Sequence, residues 1–260
     1  MGSLAGKSPK DTYKSLLKVA DETNGVTGSA SQIEDGEGTS TCLKISTTVA
    51  HLKPASDVKA ALKVERANGD DLLTVDTNNS LVKVGTSQVS ATTQLLTFNA
   101  YRIVPASAGT HYFVGLPTGE YQSHNVEISN GTGTDPSVSK DAGTTTQYLT
   151  NFIFPVPYNI TIDACKALIS THSDTDSTIN AHLYSFDMVN DGTTNDGNLT
   201  NGTVLADGQA TSVDKNVIKS LDMTIQSSSV TSGKVIACFV ENETDTNYIN
   251  IQVQVKYHIA

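Results

Sequence analysis

Tyr248-Ile249-Asn250-Ile251-Gln252-Val253-Gln254-Val255-Lys256-Tyr257-His258-Ile259 alternates apolar and polar residues with hardly a break. Ile249, Ile251, Val253, Val255, Tyr257 and Ile259 fall on one face, the pattern of a long strand packed on one side and wet on the other. Working back from this strand, runs rich in β-branched and aromatic residues recur at 95–104, 111–116, 124–129, 148–154, 160–170, 179–187, 217–226 and 234–241. Turn-rich stretches separate them, notably Asn130-Gly-Thr-Gly-Thr-Asp-Pro136 and Asn190-Asp-Gly-Thr-Thr-Asn-Asp-Gly197. A succession of short antiparallel strands on this scale predicts a two-sheet sandwich or jelly roll. No βαβ alternation is present, which argues against a nucleotide-binding α/β fold.

Composition agrees. Of 260 residues, 37% are hydrophobic and 17% charged, both low for a cytosolic enzyme, and Thr, Ser, Asn and Gly make up the difference. Those residues favour strands and tight turns over helix interiors. The net charge of −10 argues against nucleic acid and anionic membranes as partners. No apolar run reaches the ~20 residues needed to cross a bilayer, so no membrane insertion is expected. Met1-Gly-Ser-Leu-Ala-Gly-Lys7 has no apolar core of a signal peptide. Cys42, Cys165 and Cys238 have no CxxC spacing. Cys165 and Cys238 lie in apolar strand-like runs and read as small core residues, with a disulfide open to them if their strands are neighbours.

The N-terminal third is organised differently. Ser8-Pro9-Lys10-Asp11 reads as a helix start, Tyr13, Leu16, Leu17 and Ala20 share one face at helical spacing, and Gly25 is a stop. Such a short helix must dock on something, so these four are candidate anchor residues. After the turn Asp35-Gly-Glu-Gly38, Leu43, Ile45 and Val49 suggest one short strand. Three brief strands then follow within 60–85, separated by Ala67-Asn-Gly-Asp70 and Thr77-Asn-Asn-Ser80. Leu62, Val64, Leu73, Val75, Val82 and Val84 would form a thin apolar face, covered by the rest of the chain or by symmetry-related copies. Residues 86–99 read as a linker. The expected organisation is therefore a helix-and-loop anchor over 1–58, a small three-strand β module or collar with linker over 59–90, and a jelly-roll-like head over 91–260.

Motifs for chemistry are scarce. His51, His111, His124, His172, His182 and His258 show neither HxH nor HxxxH spacing. His172, Asp174 and Asp176 could ligate a metal but read as a solvated loop. The Asp-, Asn- and Gly-rich run 187–198 lacks the DxDxDG order and closing glutamate of a calcium loop and reads as a long turn. GxSxG, Walker and GxGxxG motifs are absent from the sequence, as is Trp, whose face often stacks on sugars. These readings predict a non-enzyme with no catalytic residue, no metal and no cofactor.

Leu4-Ala-Gly-Lys-Ser-Pro-Lys-Asp-Thr-Tyr-Lys-Ser-Leu-Leu-Lys-Val-Ala-Asp21 with Ile33-Glu-Asp-Gly-Glu-Gly38 resembles the N-terminal segments of structural proteins from tailed bacteriophages, especially marine ones. Ala61-Leu-Lys-Val64 with Asp71-Leu-Leu-Thr-Val-Asp-Thr-Asn-Asn-Ser-Leu-Val-Lys-Val-Gly85 looks like a module of phage fibre and appendage proteins. The C-terminal part is similar in style to fibre heads. The resemblance covers roughly the first third of the chain and implies a component of the phage particle surface. It implies a homotrimer, held to other virion proteins of capsid or tail by its N-terminal segment, with a β-head outward. The chain has almost no shaft, so a short head fibre, a capsid decoration protein or a tail adaptor fits its length as well. A tail-tip module binding a host-surface receptor or glycan is the alternative, and a depolymerase the third reading.

Overall fold

The computed structural model describes residues 16–21, 23–85, 89–90, 92–117, 127–141, 143 and 146–260. Contacts divide the chain into two compact units, Met1–Ala91 and Thr92–Ala260.

The first unit holds two small antiparallel sheets. One runs β1 (Lys18–Val19), β2 (Ser31–Glu34), β3 (Ser40–Ile45) and β4 (Ala50–Leu52), in that order. Here the expected helix is corrected. Leu16, Leu17 and Ala20 are not helical, and Lys18 and Val19 pair with Glu34 and Ile33. The cause is local. Asp21 Oδ1 accepts the backbone N–H groups of Thr23 and Asn24, and Gly25, at φ 67°, donates to the Asp21 carbonyl. Such a turn competes with helix, and Val19 gains a partner in Ile33, which is buried. The expected helix start, Ser8 to Tyr13, lies outside the described residues.

The other small sheet runs β5 (Leu62–Glu65), β6 (Asp71–Asp76), β7 (Leu81–Val84) and β8 (Val89–Ser90). The three expected strands are all present. The fourth, β8, forms inside the stretch expected to be a linker and pairs with the end of β7.

The second unit is one continuous antiparallel sheet that curls into two leaves. Its strands are β9 (Thr93–Ile103), β10 (Thr110–Val114), β11 (Ser129–Thr132), β12 (Ile153–Pro155), β13 (Ile160–Thr171), β14 (Ser177–Met188), β15 (Leu199–Val213), β16 (Lys219–Ile225), β17 (Ser229–Val230), β18 (Val235–Asn242) and β19 (Ile249–Ile259). One leaf is β10-β18-β14-β15 and the other β16-β13-β19-β9. The leaves join where β15 and β16 share only the pairs Ala206–Ile225 and Asp207–Thr224. This is the strand order of an eight-stranded jelly roll. Between the leaves lies the main core, with Ile179, Leu183, Ile236 and Val240 meeting Phe98, Ile169, Val253 and Val255.

The two leaves differ on their outer faces. That of β19 is wet, as its alternation predicts. That of the first leaf carries a second core of Phe113, Tyr184, Phe186, Phe239 and Ile153, the last on β12 beside β18 in the same sheet, roofed by Ile128, Leu149 and Phe152. Hence β10 and β18 are buried at every residue. Part of the roof departs from expectation: the strand anticipated over 148–154 begins with the helical turn α1 (Thr146–Leu149), and only Ile153–Pro155 is strand. The anticipated strand over 124–129 falls partly outside the described residues, and β11 begins at Ser129. Strand β15, fifteen residues long, was not anticipated.

Cys165 and Cys238 are free and buried in the main core, on strands that do not pair with each other.

Candidate functional site

Side chains expected to mediate assembly lie on the first unit. Tyr13 is outside the described residues. Leu16 and Leu17 are 51% and 70% exposed, and Ala20 is exposed. The six β-module residues are brought together by register: Leu62, Val75 and Val82 form one row across β5, β6 and β7, and Val64, Leu73 and Val84 the next. Strands alternate, so both rows share a face. Val64, Val82 and Val84 are each more than 40% exposed, so the face lacks a full cover. The opposite face is polar and internally satisfied. Asp76 accepts from the backbone and side chain of Asn79 and pairs with Lys83 at 3.0 Å. The Asn79 side chain, together with Lys83, holds its carboxyl down at about 2. Among the described residues of the first unit only Ile33, Thr74 and Asp76 are buried.

A second cluster lies on the outer face of the first leaf of the jelly roll. Register places His111, Glu241, Asn180 and Gln209 in one row across β10, β18, β14 and β15. His182, two residues along β14 from Asn180, is on the same face. The row is linked side by side. Gln209 Nε2 donates to Asn180 Oδ1 at 3.0 Å, and Asn180 Nδ2 to Glu241 Oε2 at 3.3 Å. Glu241 Oε2 in turn stands 2.8 Å from His111 Nε2. His111 is fully buried, Glu241 is 2% and His182 5% exposed, and the two imidazole rings meet edge to face at 5.1 Å.

Neither ring nitrogen of His182 has a hydrogen-bond partner, and those of His111 make no hydrogen bond of full geometry, the Gly131 backbone being a weak acceptor beside it. The 2.8 Å approach of His111 to Glu241 is therefore close but off the hydrogen-bond line. Burial pulls His111 down to about 4, with His182 adding to the effect and the Gly131 backbone opposing it. Burial also lowers His182, against Asp135 and Asp207, and raises Glu241. Every shift favours the uncharged form, so desolvation works against a full ion pair here.

Beside the cluster opens a cavity of about 530 Å³ lined by His182, Glu241, Asp135, Asp207, Glu243 and Gln209, among others. Its roof is tied down by backbone. Ser137 N donates to Asn130 O, Gly133 N to Gly109 O and Gly109 N to Asn242 O.

Sequence spacing could not place His111, His182 and Glu241 together, since they come from three strands. The clusters it did weigh are otherwise engaged. Asp174 pairs with Lys215, and His172 packs on the Tyr248 ring. In the 187–198 run, Asp191 and Asp196 accept hydrogen bonds from within the turn, and Asp187 takes Lys234 and Asn201.

No family model matches the chain, and no curated protein matches it. Among solved structures, a CocE/NonD family hydrolase from Staphylococcus aureus is 9% identical with a TM-score of 0.31, covering 68% of this chain and 38% of that one. Infectious bursal disease virus Gx strain gives 10% identity and a TM-score of 0.25, covering 72% of this chain and 63% of that one. Broad bean stain virus gives 11% and 0.24, covering 65% of this chain and 88% of that one. The chain thus spans less than two thirds of the first two. At TM-scores this low, none of the three says what this chain does.

Proposed function

We propose that the chain is a non-catalytic structural protein of a virus particle, a short trimeric appendage whose first unit assembles and anchors it while the jelly roll projects. One observation carries this reading: the incompletely covered double row Leu62–Val75–Val82 and Val64–Leu73–Val84 in a unit with three buried described residues. A unit with so small a core gains little from folding alone, and an aliphatic face whose reverse side is held by ion pairs is suited to packing on copies of itself. The jelly roll supports the rest, since virus capsid domains are among the proteins built this way. The resemblance of the N-terminal third to phage appendage proteins supplies the number three and the attachment to capsid or tail.

Mass photometry and light scattering on the purified full chain test it. The expected result is a trimer at micromolar concentration that Val64→Asp combined with Val84→Asp converts to monomer, with jelly-roll melting unchanged. A wild-type chain that stays monomeric, or a double variant that stays trimeric, overturns the reading.

A further inference from the structure

We propose that His111, His182 and Glu241 bind one divalent first-row transition-metal ion of the Zn²⁺ class, whose remaining coordination positions open into the adjacent cavity.

The first ground is the state of the imidazoles. Four of the seven buried side-chain polar atoms that lack a full hydrogen bond among the described residues are the ring nitrogens of His111 and His182. A neutral hydrogen-bonded His111–Glu241 pair does not account for them, because it leaves both nitrogens of His182 unmet. An ion between the three side chains uses one nitrogen of each ring at once.

The second ground is spacing. One donor atom from each residue can be chosen so that all three lie within 4.8 Å of one another. The off-line 2.8 Å separation of His111 Nε2 and Glu241 Oε2 is about half an ångström or more short of the roughly 3.3–3.6 Å between neighbouring ligands of a tetrahedral ion bonded at ~2.0–2.2 Å. Small side-chain adjustments close the difference.

The third is the donor set and its support. Two imidazoles and one carboxylate suit Zn²⁺, Fe²⁺ or Co²⁺, whereas Mg²⁺ and Ca²⁺ prefer all-oxygen shells. Three protein ligands leave room for water or a small ligand in a fourth position. Glu241 is oriented by Asn180, which Gln209 holds in turn, the kind of outer layer that fixes metal ligands. The cavity supplies entry, and Asp135, Asp207 and Glu243 on its wall bias it toward cations.

The test uses the full chain, stripped with chelator and dialysed. Zn²⁺ is titrated by calorimetry and Co²⁺ by its visible spectrum, with metal content measured by mass spectrometry. The expected result is one Zn²⁺ per chain, weakened at least tenfold by Glu241→Gln and by His182→Ala and unaffected by His172→Ala. Glu241→Gln keeps the shape of the side chain and an acceptor for Asn180, so it decides the matter even where His182→Ala fails to fold. No saturable Zn²⁺ binding, binding indifferent to Glu241→Gln, or equal binding of Mg²⁺ overturns the proposal.

Discussion

Gly202 is where the segment around Val138 meets the sheet, and replacing it with alanine should lift that segment. Gly202 N donates to Val138 O at 2.8 Å, and just beyond it Lys140 and Leu199 exchange two backbone bonds of 2.9 Å. A Cβ on Gly202 would stand 2.7 Å from Phe186 Cε1, 2.8 Å from Val138 Cα and 2.9 Å from Val138 O, where ordinary contact begins at 3.4 Å. Two of these atoms are backbone, and Phe186 is fully buried in the second core, so no rotamer change relieves the overlap. The segment around Val138 must therefore move outward by roughly half an ångström or more. Overpacking of this kind costs about 1–3 kcal/mol. Weakening the bonds that hold the segment adds about 1 kcal/mol. At ~2–4 °C per kcal/mol for a domain of this size, Gly202→Ala should lower the melting temperature by roughly 4–16 °C. Far-UV circular dichroism reads the melt, and hydrogen exchange over residues 136–141 reads the lifted segment. Gly28→Ala is the control, because a Cβ there meets nothing within 4 Å. A Gly202→Ala melt within a degree of wild type, with exchange at 136–141 unchanged, would refute the argument.

Two further predictions concern titratable groups. Cys42 is exposed, whereas burial pushes the Cys165 thiol up to about 12 and raises Cys238 as well. Ellman's reagent should therefore find one fast thiol in the native chain and two more only after unfolding; three fast thiols would contradict the core placement. Asp76 is held at about 2 against an ordinary 3.8, so its contribution to the β5–β8 sheet is complete above pH 4 and is lost as the pH falls through 2. Amide protection over 71–84, corrected for intrinsic exchange, should fall in that window, and Asp76→Asn should reduce this pH dependence, leaving the share of Asp71, while protection at neutral pH falls.

Alternation carried most of the jelly roll in the sequence, and where it failed the cause is local. β19 and β13 are covered on one side only, so their period of two is plain in the residues. β14 and β18 are covered on both sides and read as apolar runs. β15 is as long as any of them yet escaped notice, because Leu199-Thr-Asn-Gly-Thr-Val-Leu-Ala-Asp-Gly-Gln-Ala-Thr-Ser-Val213 has few apolar residues and a broken period. Its pairing with β14 shifts register three times, and Asn201 and Ser212 have positive φ. Each shift changes which residues face the core, which erases the signal that reveals a strand. At the N-terminus the error ran the other way. The spacing of Leu16, Leu17 and Ala20 suits a helix, but it says nothing of the pairing of Val19 with Ile33 from the next strand.

The histidine cluster was hidden for a different reason, although one trace of it lay in the sequence. His111, His182 and Glu241 are 71 and 59 residues apart, so no spacing rule relates them. Each, however, stands two residues from an aromatic side chain on its own strand: Phe113, Tyr184 and Phe239. Those aromatics belong to the second core, so the polar residues continue its face at one end. In a strand whose outer face is wet, a His or Glu in that position is ordinary. Once the roof covers the face, the same residue is a buried charge or an unmet imidazole, which is costly unless something is there to meet it. Glu241 and His111 became unusual only when the outer face of β18 and β10 proved to be covered, a fact held in the roof segment and not in either strand. Cover over the face is what makes a cluster of ordinary residues a candidate binding site.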